Sequence, residues 1–409
     1  MDSNDTNRPA GGPVDILIEK WIYGGMGLGR IEGRVVLAPF VLPGETARVR
    51  VTAARRDLWL AGLVSITRAA PERIEAPCPY FGRCGGCHYQ HAPYDFQLAQ
   101  KRSILEESLR RIGKIGAPDG ISVISGPAWE YRNRVQLHID RARIGFREPA
   151  SHRLCAIGSC PLCPPRINGA IRSLAAMTRH PRFPRFLRSL ELFDTGSEMQ
   201  IHAVESGRGL APWFYEWCGE SIAGATRAAV VCEAAGRSFR VSPRSFFQVN
   251  RFLTGRLVET AIAGAEGETA LDLYAGVGLF SLPLAERFRK VVAVESGSSA
   301  VADLDCNASA AGAAVEIHRG SCESVLDTLD ARPDFVLADP PRSGLNRFVV
   351  RHLLRMRPPR LAIVSCDPAT LARDLAALAA GGFRLERLTL IDLFPQTAHL
   401  ETVAHLRLA

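Results

Sequence analysis

Residues 271–280 read Leu-Asp-Leu-Tyr-Ala-Gly-Val-Gly-Leu-Phe, which predicts a strand, a glycine turn and a helix in direct succession. The two glycines allow the backbone to approach a bound nucleoside closely. Phe280 and Ser281 stand where a pyrophosphate-binding turn would carry a third glycine. The stretch therefore favours a single nucleoside such as S-adenosylmethionine (SAM) over a dinucleotide. A generic strand–turn–helix of any α/β domain is the alternative.

The sequence around this stretch alternates between strands and helices from about residue 238 to the end. This pattern predicts a doubly wound sheet whose ligands bind at the carboxyl ends of the strands. The predicted strands are 270–274, 291–295, 315–318, 335–339 and 361–365, and the predicted helices are 279–289, 298–311, 345–356 and 368–380.

Two acidic residues end predicted strands of this sheet. Glu295 follows the glycine turn by one strand, where a carboxylate suits the two hydroxyl donors of a ribose. Asp339 begins the segment Asp339-Pro340-Pro341-Arg342, whose prolines stiffen the loop. A stiff loop with an acidic start can position a planar base, although a plain strand-ending turn would have the same sequence.

A candidate nucleophile, Cys366, lies at the tip of the next predicted strand, just before a helix expected to start near Pro368. A helix N-terminus is expected to stabilise the thiolate. A thiolate can add to carbon 6 of uracil and make carbon 5 nucleophilic, after which a base removes the carbon 5 proton. Glu401 and His399 are the candidate bases. The alternatives are a buried structural thiol for Cys366 and surface polar residues for the other two.

The N-terminal part has a different pattern. Short β-rich runs punctuated by Gly and Pro span residues 14–66 and predict a small barrel of the oligonucleotide-binding kind. A helix is expected at 95–113, and mixed α+β structure with an arginine-rich strand pair follows from 120 to about 230. The first thirteen residues are polar and are expected to form a disordered tail. The arginines expected to face RNA are Arg48, Arg50, Arg55 and Arg56 on the barrel and Arg132, Arg134, Arg141 and Arg143 in the strand pair.

Composition limits the classes of function. The chain has 50 Lys and Arg against 42 Asp and Glu, a net charge of +8, which favours a phosphate-bearing partner over an acidic one. An arginine-rich proteome with solvated surfaces is the alternative. No apolar run approaches the ~20 residues of a transmembrane helix, and no secretory signal is recognisable, so we expect a cytoplasmic protein without membrane contact. Its 11 cysteines are then thiols, metal ligands or catalytic groups rather than disulfides.

Three of these cysteines cluster as Cys78-x5-Cys84-x2-Cys87 in a glycine-rich loop. Close glycines allow several thiolates to converge on one metal centre. A fourth ligand has to come from elsewhere, and Cys155, Cys160 and Cys163 are candidates. On spacing alone, a zinc site with four thiolates and an iron–sulfur cluster both remain open.

Together these segments resemble the RNA uridine-C5 (m5U) methyltransferases that carry an N-terminal TRAM domain. The resemblance covers nearly the whole chain. It rests on Tyr131-Arg132-Asn133-Arg134, Ser245-Phe246-Phe247-Gln248-Val249-Asn250, Leu271–Phe280, Asp339–Gly344, Ser365–Asp374 and Asp392–Glu401.

The resemblance implies specific roles for residues. Cys366 is the expected nucleophile and Glu401 the proton-abstracting base, with His399 a neighbour. The expected SAM contacts are Gln248, Tyr274, Glu295 and Asp339. In the branch that modifies 23S rRNA, the matching cysteines hold a four-iron four-sulfur cluster, here Cys78, Cys84, Cys87 and Cys160.

The resemblance also implies three parts: a TRAM-like RNA-binding β-barrel at 10–67, a central domain with the cluster loop and RNA contacts at 68–235, and a Rossmann-like SAM-dependent domain at 236–409. We expect a monomer that acts on RNA, with 23S rRNA favoured over tRNA. Ala275 and Leu279 depart from residues common in the family, which leaves the subfamily open. A non-covalent amino-group methyltransferase, to which Asp-Pro-Pro is also suited, and an inactive RNA-binding protein are the alternatives.

Overall fold

The computed structural model describes residues 12–55, 58–117, 119–329 and 332–409. The proposed N-terminal tail up to residue 11 and the barrel arginine Arg56 lie outside these ranges. The chain forms two compact units. The first comprises residues up to Leu105 with Arg147–His152 and Phe394–His399, and the second comprises Glu106–Phe146, Arg153–Leu393 and Leu400–Ala409. The division of the sequence into three parts stays a prediction.

The first unit begins with a closed five-stranded barrel. Its interior is filled by alternate side chains of the strands, including Ile16, Val36, Val49 and Trp59. The sequence prediction missed the second strand, because its glycines were interpreted as turn residues. Gly27 and Gly29 are needed there since a side chain would meet Val41 and the backbone of Leu17. The strands are β1 (Val14–Ile22), β2 (Met26–Ile31), β3 (Arg34–Pro39), β4 (Thr46–Ala54) and β5 (Leu58–Arg68).

A second apolar cluster of the first unit lies beside the barrel. The Trp21 ring stacks on Tyr89 with ring centroids 3.9 Å apart, and Ala398 packs into the same cluster. The segment 394–399 is tied to this unit by hydrogen bonds from the backbone amides of His88 and Tyr89 to the Gln396 carbonyl, at 2.9 and 3.1 Å. Helix α1 (Tyr94–Ser108) follows the barrel and ends in a wide helical turn at Leu109–Gly113.

The second unit contains a six-stranded sheet in the order β12-β11-β10-β7-β8-β9 and a β13–β14 hairpin. Two helices, α2 (Pro165–Met177) and α3 (Pro212–Ser221), belong to this region, and both begin at a proline, which is favoured at the first helical position. The strands are β7 (Arg134–Asp140), β8 (Arg143–Arg147), β9 (Leu154–Ala156), β10 (Leu187–Asp194), β11 (Met199–Ser206), β12 (Ala225–Thr226), β13 (Val230–Ala234) and β14 (Arg237–Val241).

An eight-stranded sheet completes the second unit, in the order β17-β16-β15-β18-β19-β21-β20-β6. Its strands are β6 (Ile121–Ile124), β15 (Gly267–Leu273), β16 (Phe288–Glu295), β17 (Val315–Arg319), β18 (Phe335–Ala338), β19 (Arg360–Ser365), β20 (Phe383–Ile391) and β21 (Thr402–Leu408). The helices of this half are α4 (Thr254–Ala261), α5 (Ser281–Ala285), α6 (Ser298–Ala311), α7 (Cys322–Thr328), α8 (Arg347–Met356) and α9 (Pro368–Ala380).

The predicted doubly wound sheet is thus confirmed, although several of its elements differ from the prediction. The helix expected at 279–289 is the single short turn α5. Strands β6, β20 and β21 and helices α4 and α7 were not predicted. Strand β21 runs antiparallel to both β19 and β20. Within the described residues no helix is long and apolar enough to cross a membrane.

Candidate active site

The strand register gathers five of the six expected catalytic and SAM-binding residues at one edge of the eight-stranded sheet. Leu273 pairs with Val294 on one side and with Ala338 on the other. Tyr274 follows Leu273 and Asp339 follows Ala338, while Glu295 ends the neighbouring strand. All of them come at the carboxyl ends of parallel strands, where the sequence predicted a ligand.

The same register brings the candidate nucleophile and base together. Ser365 at the end of β19 pairs with Thr402 at the start of the antiparallel β21. Cys366 follows Ser365, and Glu401 precedes Thr402, so the two residues continue this pairing on opposite strands. The electrostatic influence of Glu401 and Asp339 on the Cys366 thiol is consistent with this proximity.

The Cys366 thiol is not activated by the helix that follows it. Burial, reinforced by the negative charges of Glu401 and Asp339, raises its pKa to about 11, and the Arg342 guanidinium opposes this only in part. The expectation of a thiolate stabilised by a helix N-terminus was wrong. The reason is local: the Asp367 side chain caps α9 and accepts hydrogen bonds from Ala369 and Thr370 at 3.0 and 2.9 Å. These backbone donors are therefore occupied by the adjacent carboxylate.

Burial and mutual repulsion perturb the carboxyl groups of this edge. Glu401 is 5% exposed, and its pKa lies well above the usual value because burial and then the Asp339 charge oppose ionisation. Burial raises the pKa of Asp339 to about 7. The pKa of Asp272 is also raised to about 7, first by burial, with repulsion from Asp339 and Glu295 adding to it. Clustered, perturbed carboxyl groups of this kind are typical of functional sites.

Glu295 holds the glycine turn in place. One carboxylate oxygen accepts a hydrogen bond of 2.9 Å from the Gly276 amide, and the other accepts one of 2.6 Å from the Gly297 amide. Tyr274 adopts a left-handed backbone conformation with φ of 63°, which brings the chain sharply out of β15. Tyr274 also lines a cleft of about 750 Å³ together with Glu323, Pro341, Ser343 and Arg347.

Gln248 lies on the loop after β14 and is 6% exposed. Its loop is fixed at both ends. Ser245 donates a hydrogen bond of 2.6 Å to Asp303 on α6, and the Asn250 side chain donates one of 2.9 Å to the Leu393 carbonyl. Gln248 is therefore a buried amide on a firmly anchored loop, although no strand register ties it to the other five residues.

Sequence reasoning missed three residues near this site. Asp272 and Arg342 were quoted within motifs without a role, yet both act electrostatically on the expected site residues. Asn133 is 8% exposed, and its side-chain oxygen has no hydrogen-bond partner among the described residues. Its backbone amide donates to the Val249 carbonyl at 3.0 Å, beside Gln248. A buried acceptor without a donor suits a ligand N–H, but nothing in the sequence distinguishes it from a satisfied core asparagine.

His399, the second candidate base, belongs to the first unit, where its ring lies edge-on to the rings of His88 and Phe394 at 6.1 and 5.7 Å. Glu401 belongs to the second unit.

The expected cluster cysteines divide in the same way. Cys78, Cys84 and Cys87 lie in the loop of the first unit and Cys160 in the second, and all four thiols are partly exposed. The cluster loop is folded by backbone hydrogen bonds from Phe81 to Cys78 and from Cys84 to Tyr80, at 3.0 and 2.8 Å. The loop around Cys160 is held by Asn168, whose side chain bonds the Cys160 amide and carbonyl at 2.7 and 3.0 Å. A hydrogen bond from Cys163 lowers the pKa of Cys160 to about 7. Across the ranges that the structure describes, no group of three or more His, Cys, Asp or Glu is arranged to hold a metal ion.

Comparison with known proteins decides the family. The tRNA (uracil-5-)-methyltransferase model matches residues 230–408, and the TRAM domain model matches residues 11–61. A 23S rRNA (uracil(1939)-C(5))-methyltransferase RlmD of Pseudomonas entomophila is 33% identical, over 98% of this chain and 94% of the relative. The chain belongs to the SAM-dependent RNA uracil-C5 methyltransferases.

Other members of the family are similarly close. An uncharacterized RNA methyltransferase of Aquifex aeolicus is 32% identical over 96% of this chain and 98% of its own length. The crystal structure of a Pyrococcus abyssi tRNA (uracil-54, C5)-methyltransferase in complex with S-adenosyl-L-homocysteine superposes with a TM-score of 0.77 at 26% identity. It covers 96% of this chain and all of that chain. The TRAM-like barrel and the Rossmann-like methyltransferase domain expected from the sequence are thereby confirmed.

Proposed function

We propose that this methyltransferase modifies carbon 5 of a uridine in 23S rRNA through a covalent adduct between Cys366 and carbon 6 of the uracil. The supporting observation is the register that pairs Ser365 with Thr402 and so sets Cys366 opposite Glu401. Relatives named as 23S rRNA enzymes favour ribosomal RNA as the substrate.

In this mechanism the Cys366 thiol gives its proton to solvent water, and its sulfur adds to carbon 6. The carbon 5–carbon 6 double bond shifts its electrons to form an enolate. SAM, when bound, would supply the methyl group that carbon 5 of the enolate acquires and would leave as S-adenosylhomocysteine. Glu401 then removes the proton on carbon 5, the double bond re-forms, and the sulfur is expelled. The raised pKa of Glu401 makes its carboxylate a stronger base toward the carbon 5 proton, and the group has to ionise before this step.

Separating the two residues should trap the intermediate. Glu401→Gln keeps the size of the side chain and removes most of its basicity, so it should transfer one methyl group and accumulate a protein–RNA adduct that survives denaturation. Cys366→Ala should form neither adduct nor product, a loss of several powers of ten. Cys306→Ala, which removes an exposed thiol on α6, is the matched control and should turn over normally.

The readout is a denaturing gel with SAM labelled in its methyl group, run with 23S rRNA and tRNA transcripts side by side. Absence of a slow labelled band for Glu401→Gln, while the wild type turns over, would rule out Glu401 as the base and make His399 the next candidate. An active Cys366→Ala variant would instead favour the amino-group methyltransferase. Labelling of the tRNA transcript alone would transfer the proposal to tRNA.

We propose Gln248, Tyr274, Glu295 and Asp339 as the SAM contacts, supported by the common sheet edge of the last three and by the burial of Gln248. Calorimetry should show SAM affinity reduced about tenfold or more for Glu295→Ala, because the hydrogen bonds between the ribose hydroxyls and the charged carboxylate are lost. Glu316→Ala, on the exposed strand β17, is the matched control and should bind SAM as the wild type does.

We propose that Cys78, Cys84, Cys87 and Cys160 ligate a four-iron four-sulfur cluster with a structural role. The support is the Cys-x5-Cys-x2-Cys spacing and the partial exposure of all four thiols. Protein purified without oxygen should be brown and contain about four iron atoms per chain. Cys84→Ser should lose this iron, whereas Cys306→Ser should keep it. Colourless protein with stoichiometric zinc would replace this proposal with a zinc site.

We propose further that the protein works as a cytoplasmic monomer. The support for the location is the RNA substrate of the family and the expectation of reduced cysteines. Light scattering of the purified protein should give the mass of one chain, 44.5 kDa, and a dimer mass would contradict the proposal.

A further inference from the structure

The central part of the second unit carries an arginine-rich segment that the candidate active site does not use. Residues 178–188 read Thr-Arg-His-Pro-Arg-Phe-Pro-Arg-Phe-Leu-Arg and contain no acidic residue. The segment links α2 to the start of β10. It packs beside helix α3, which presents two tryptophans one turn apart, Trp213 and Trp217.

The two tryptophans contact His180 and Arg182 of the segment. With Arg179, the exposed chain neighbour of His180, they are called the tryptophan–arginine surface (Arg179, His180, Arg182, Trp213 and Trp217). The indole centroids are 6.4 Å apart with planes inclined by 31°. The guanidinium carbon of Arg182 lies 5.1 Å from the Trp213 centroid and 5.8 Å from that of Trp217. The His180 ring meets Trp217 edge-on at 5.3 Å. The arginine is therefore held against both rings.

A buried aromatic pair supports this surface from below. Phe214 is on α3 between the two tryptophans, and Phe183 follows Arg182 in the segment. These phenylalanines are 1% and 2% exposed, and their rings meet edge-on at 6.0 Å. The segment and the helix are thus fixed to each other, so the tryptophans and arginines form a preorganised surface.

The surface is open and includes two arginines. Arg179, His180 and Arg182 are exposed, and both tryptophans are half-exposed. Among the described residues, neither arginine lies within ion-pair distance of a carboxylate. Glu216 and Glu220, on α3 itself, are the acidic residues of the helix. Two half-exposed indoles next to unpaired arginines are typical of an interaction surface rather than of a solvated face.

Single-stranded RNA has the matching chemistry. Its bases stack on aromatic side chains, and its phosphates bind arginines. A duplex offers phosphates to the arginines, but its bases are already stacked on each other and cannot stack on the indoles. The combination of rings and charges therefore favours a single strand over a duplex.

We propose that the tryptophan–arginine surface binds a single-stranded segment of the substrate RNA outside the target uridine. Bases stack on Trp213 and Trp217, and Arg179 and Arg182 bind the flanking phosphates. The inference rests on RNA being the substrate, but it does not depend on which uridine is methylated or on the covalent mechanism.

Binding of a fluorescein-labelled oligouridine of about 12 nucleotides, within the ~4–16 that single-strand sites cover, tests the inference directly. Trp213→Leu/Trp217→Leu keeps apolar bulk and removes the rings. Arg179→Ala/Arg182→Ala removes two charges. Arg289→Ala/Arg384→Ala is the matched control, since it removes two exposed arginines at the amino ends of β16 and β20. Thermal unfolding and SAM calorimetry check that each variant folds.

The tryptophan variant should weaken oligouridine binding about tenfold, as expected for the loss of base stacking. The arginine variant should make the slope of log affinity against log salt shallower by about 1.4, at about 0.7 per phosphate. The control variant should make the salt slope shallower by less than half that amount. The tryptophan variant should bind a duplex RNA as the wild type does. In methylation assays, both variants should raise the KM for RNA and leave kcat nearly unchanged.

Variants that bind oligouridine like the control would overturn the inference, as would an equal loss with duplex RNA, which would indicate a purely ionic surface. Unchanged RNA binding together with loss of a bound protein partner would also overturn it. If the wild type methylates no 23S uridine while the oligouridine result holds, the proposed substrate fails and the RNA surface stands.

Discussion

At the scale of single residues, Cys366 shows that a cysteine at a strand tip before a helix is not necessarily ionised. Its pKa of about 11 means that the substrate-free protein carries a neutral thiol at neutral pH. A folded-state pKa above that of the free thiol means that the thiolate is disfavoured below about pH 11 and forms as the pH rises through that value. In the proposed mechanism, the substrate complex has to overcome this cost before sulfur can attack.

Alkylation measures this directly. The rate at which iodoacetamide modifies Cys366 in the substrate-free protein should rise about tenfold per pH unit from pH 7 to 10, because only the thiolate reacts. Mass spectrometry of the peptide containing Cys366 gives the rate. Cys306, exposed on α6, is the internal control for labelling of a solvent-accessible thiol in the same sample. A plateau of Cys366 labelling by pH 8 would contradict the neutral thiol.

The carboxyl groups Asp272 and Asp339 predict a pH dependence of cofactor binding. Both have a pKa raised to about 7, so they ionise as the pH rises from 6 to 8. SAM carries a positive sulfonium, and an ionised carboxylate nearby stabilises it. Affinity measured by calorimetry should therefore increase by about tenfold over this range. Asp339→Asn should bind SAM more weakly and lose most of the pH dependence. If the wild-type affinity for SAM does not change with pH, these carboxyl groups do not contribute to SAM binding.

At the scale of elements, the cap of α9 links local sequence to the site. Asp367 stands one residue after the candidate nucleophile Cys366, and its side chain satisfies two backbone amides of the first turn. Asp367→Ala should lower the free energy of unfolding by about 1 kcal/mol, the usual cost of losing such a cap. Asp367→Asn, which can still accept these hydrogen bonds, should lose much less. Urea denaturation measures both, and equal losses would mean that the charge matters and not the cap.

The elements also show what the sequence could and could not predict. Most of the alternating strands and helices from 267 to 380 were recognisable, because the central strands are buried on both faces and most of the helices follow a turn signal. Strands β20 and β21 were missed because no glycine or proline turn of ordinary length separates them. The connecting residues 392–401 form the family motif that ends at Glu401 instead. Cys366 and Glu401 could be named by resemblance, but their pairing depends on the antiparallel register of β21, which the sequence does not specify.

Charge was the least predictable property. Arg134 was expected to face RNA, yet it is 8% exposed, forms an ion pair of 2.6 Å with Glu191 and donates a hydrogen bond of 2.7 Å to the Ser245 carbonyl. That expectation was wrong, because an arginine-rich strand exposes alternate residues only. Arg48 is exposed but carries a bidentate partner in Asp15. Residue type alone does not separate structural arginines from those free to bind phosphate.

At the scale of the whole molecule, a net charge of +8 predicts RNA binding that is largely electrostatic and distributed. Replacing Arg48 and Arg50 of the barrel by alanine, or Arg141 and Arg143 of the second unit, should each weaken RNA affinity. Each loss should shrink as salt rises, since fewer counterions are released on binding. If the two pairs contact separate phosphates, the binding free energy lost by the quadruple variant should equal the sum of the losses of the two double variants within roughly 0.5 kcal/mol.

Arg134 is left out of this sum. It is buried and paired with Glu191, so its replacement should lower the unfolding temperature instead. Filter binding of a 23S rRNA transcript at several salt concentrations gives all the affinities, with Arg289→Ala/Arg384→Ala as the control for a general loss of charge. If the control variant binds RNA as weakly as the double variants do, RNA binding depends on total charge alone. Specific contacts require each double variant, in the barrel and in the second unit, to lose more RNA affinity than the control variant does. Long-range attraction is screened beyond about 10 Å at ordinary salt, whereas a direct phosphate contact is not.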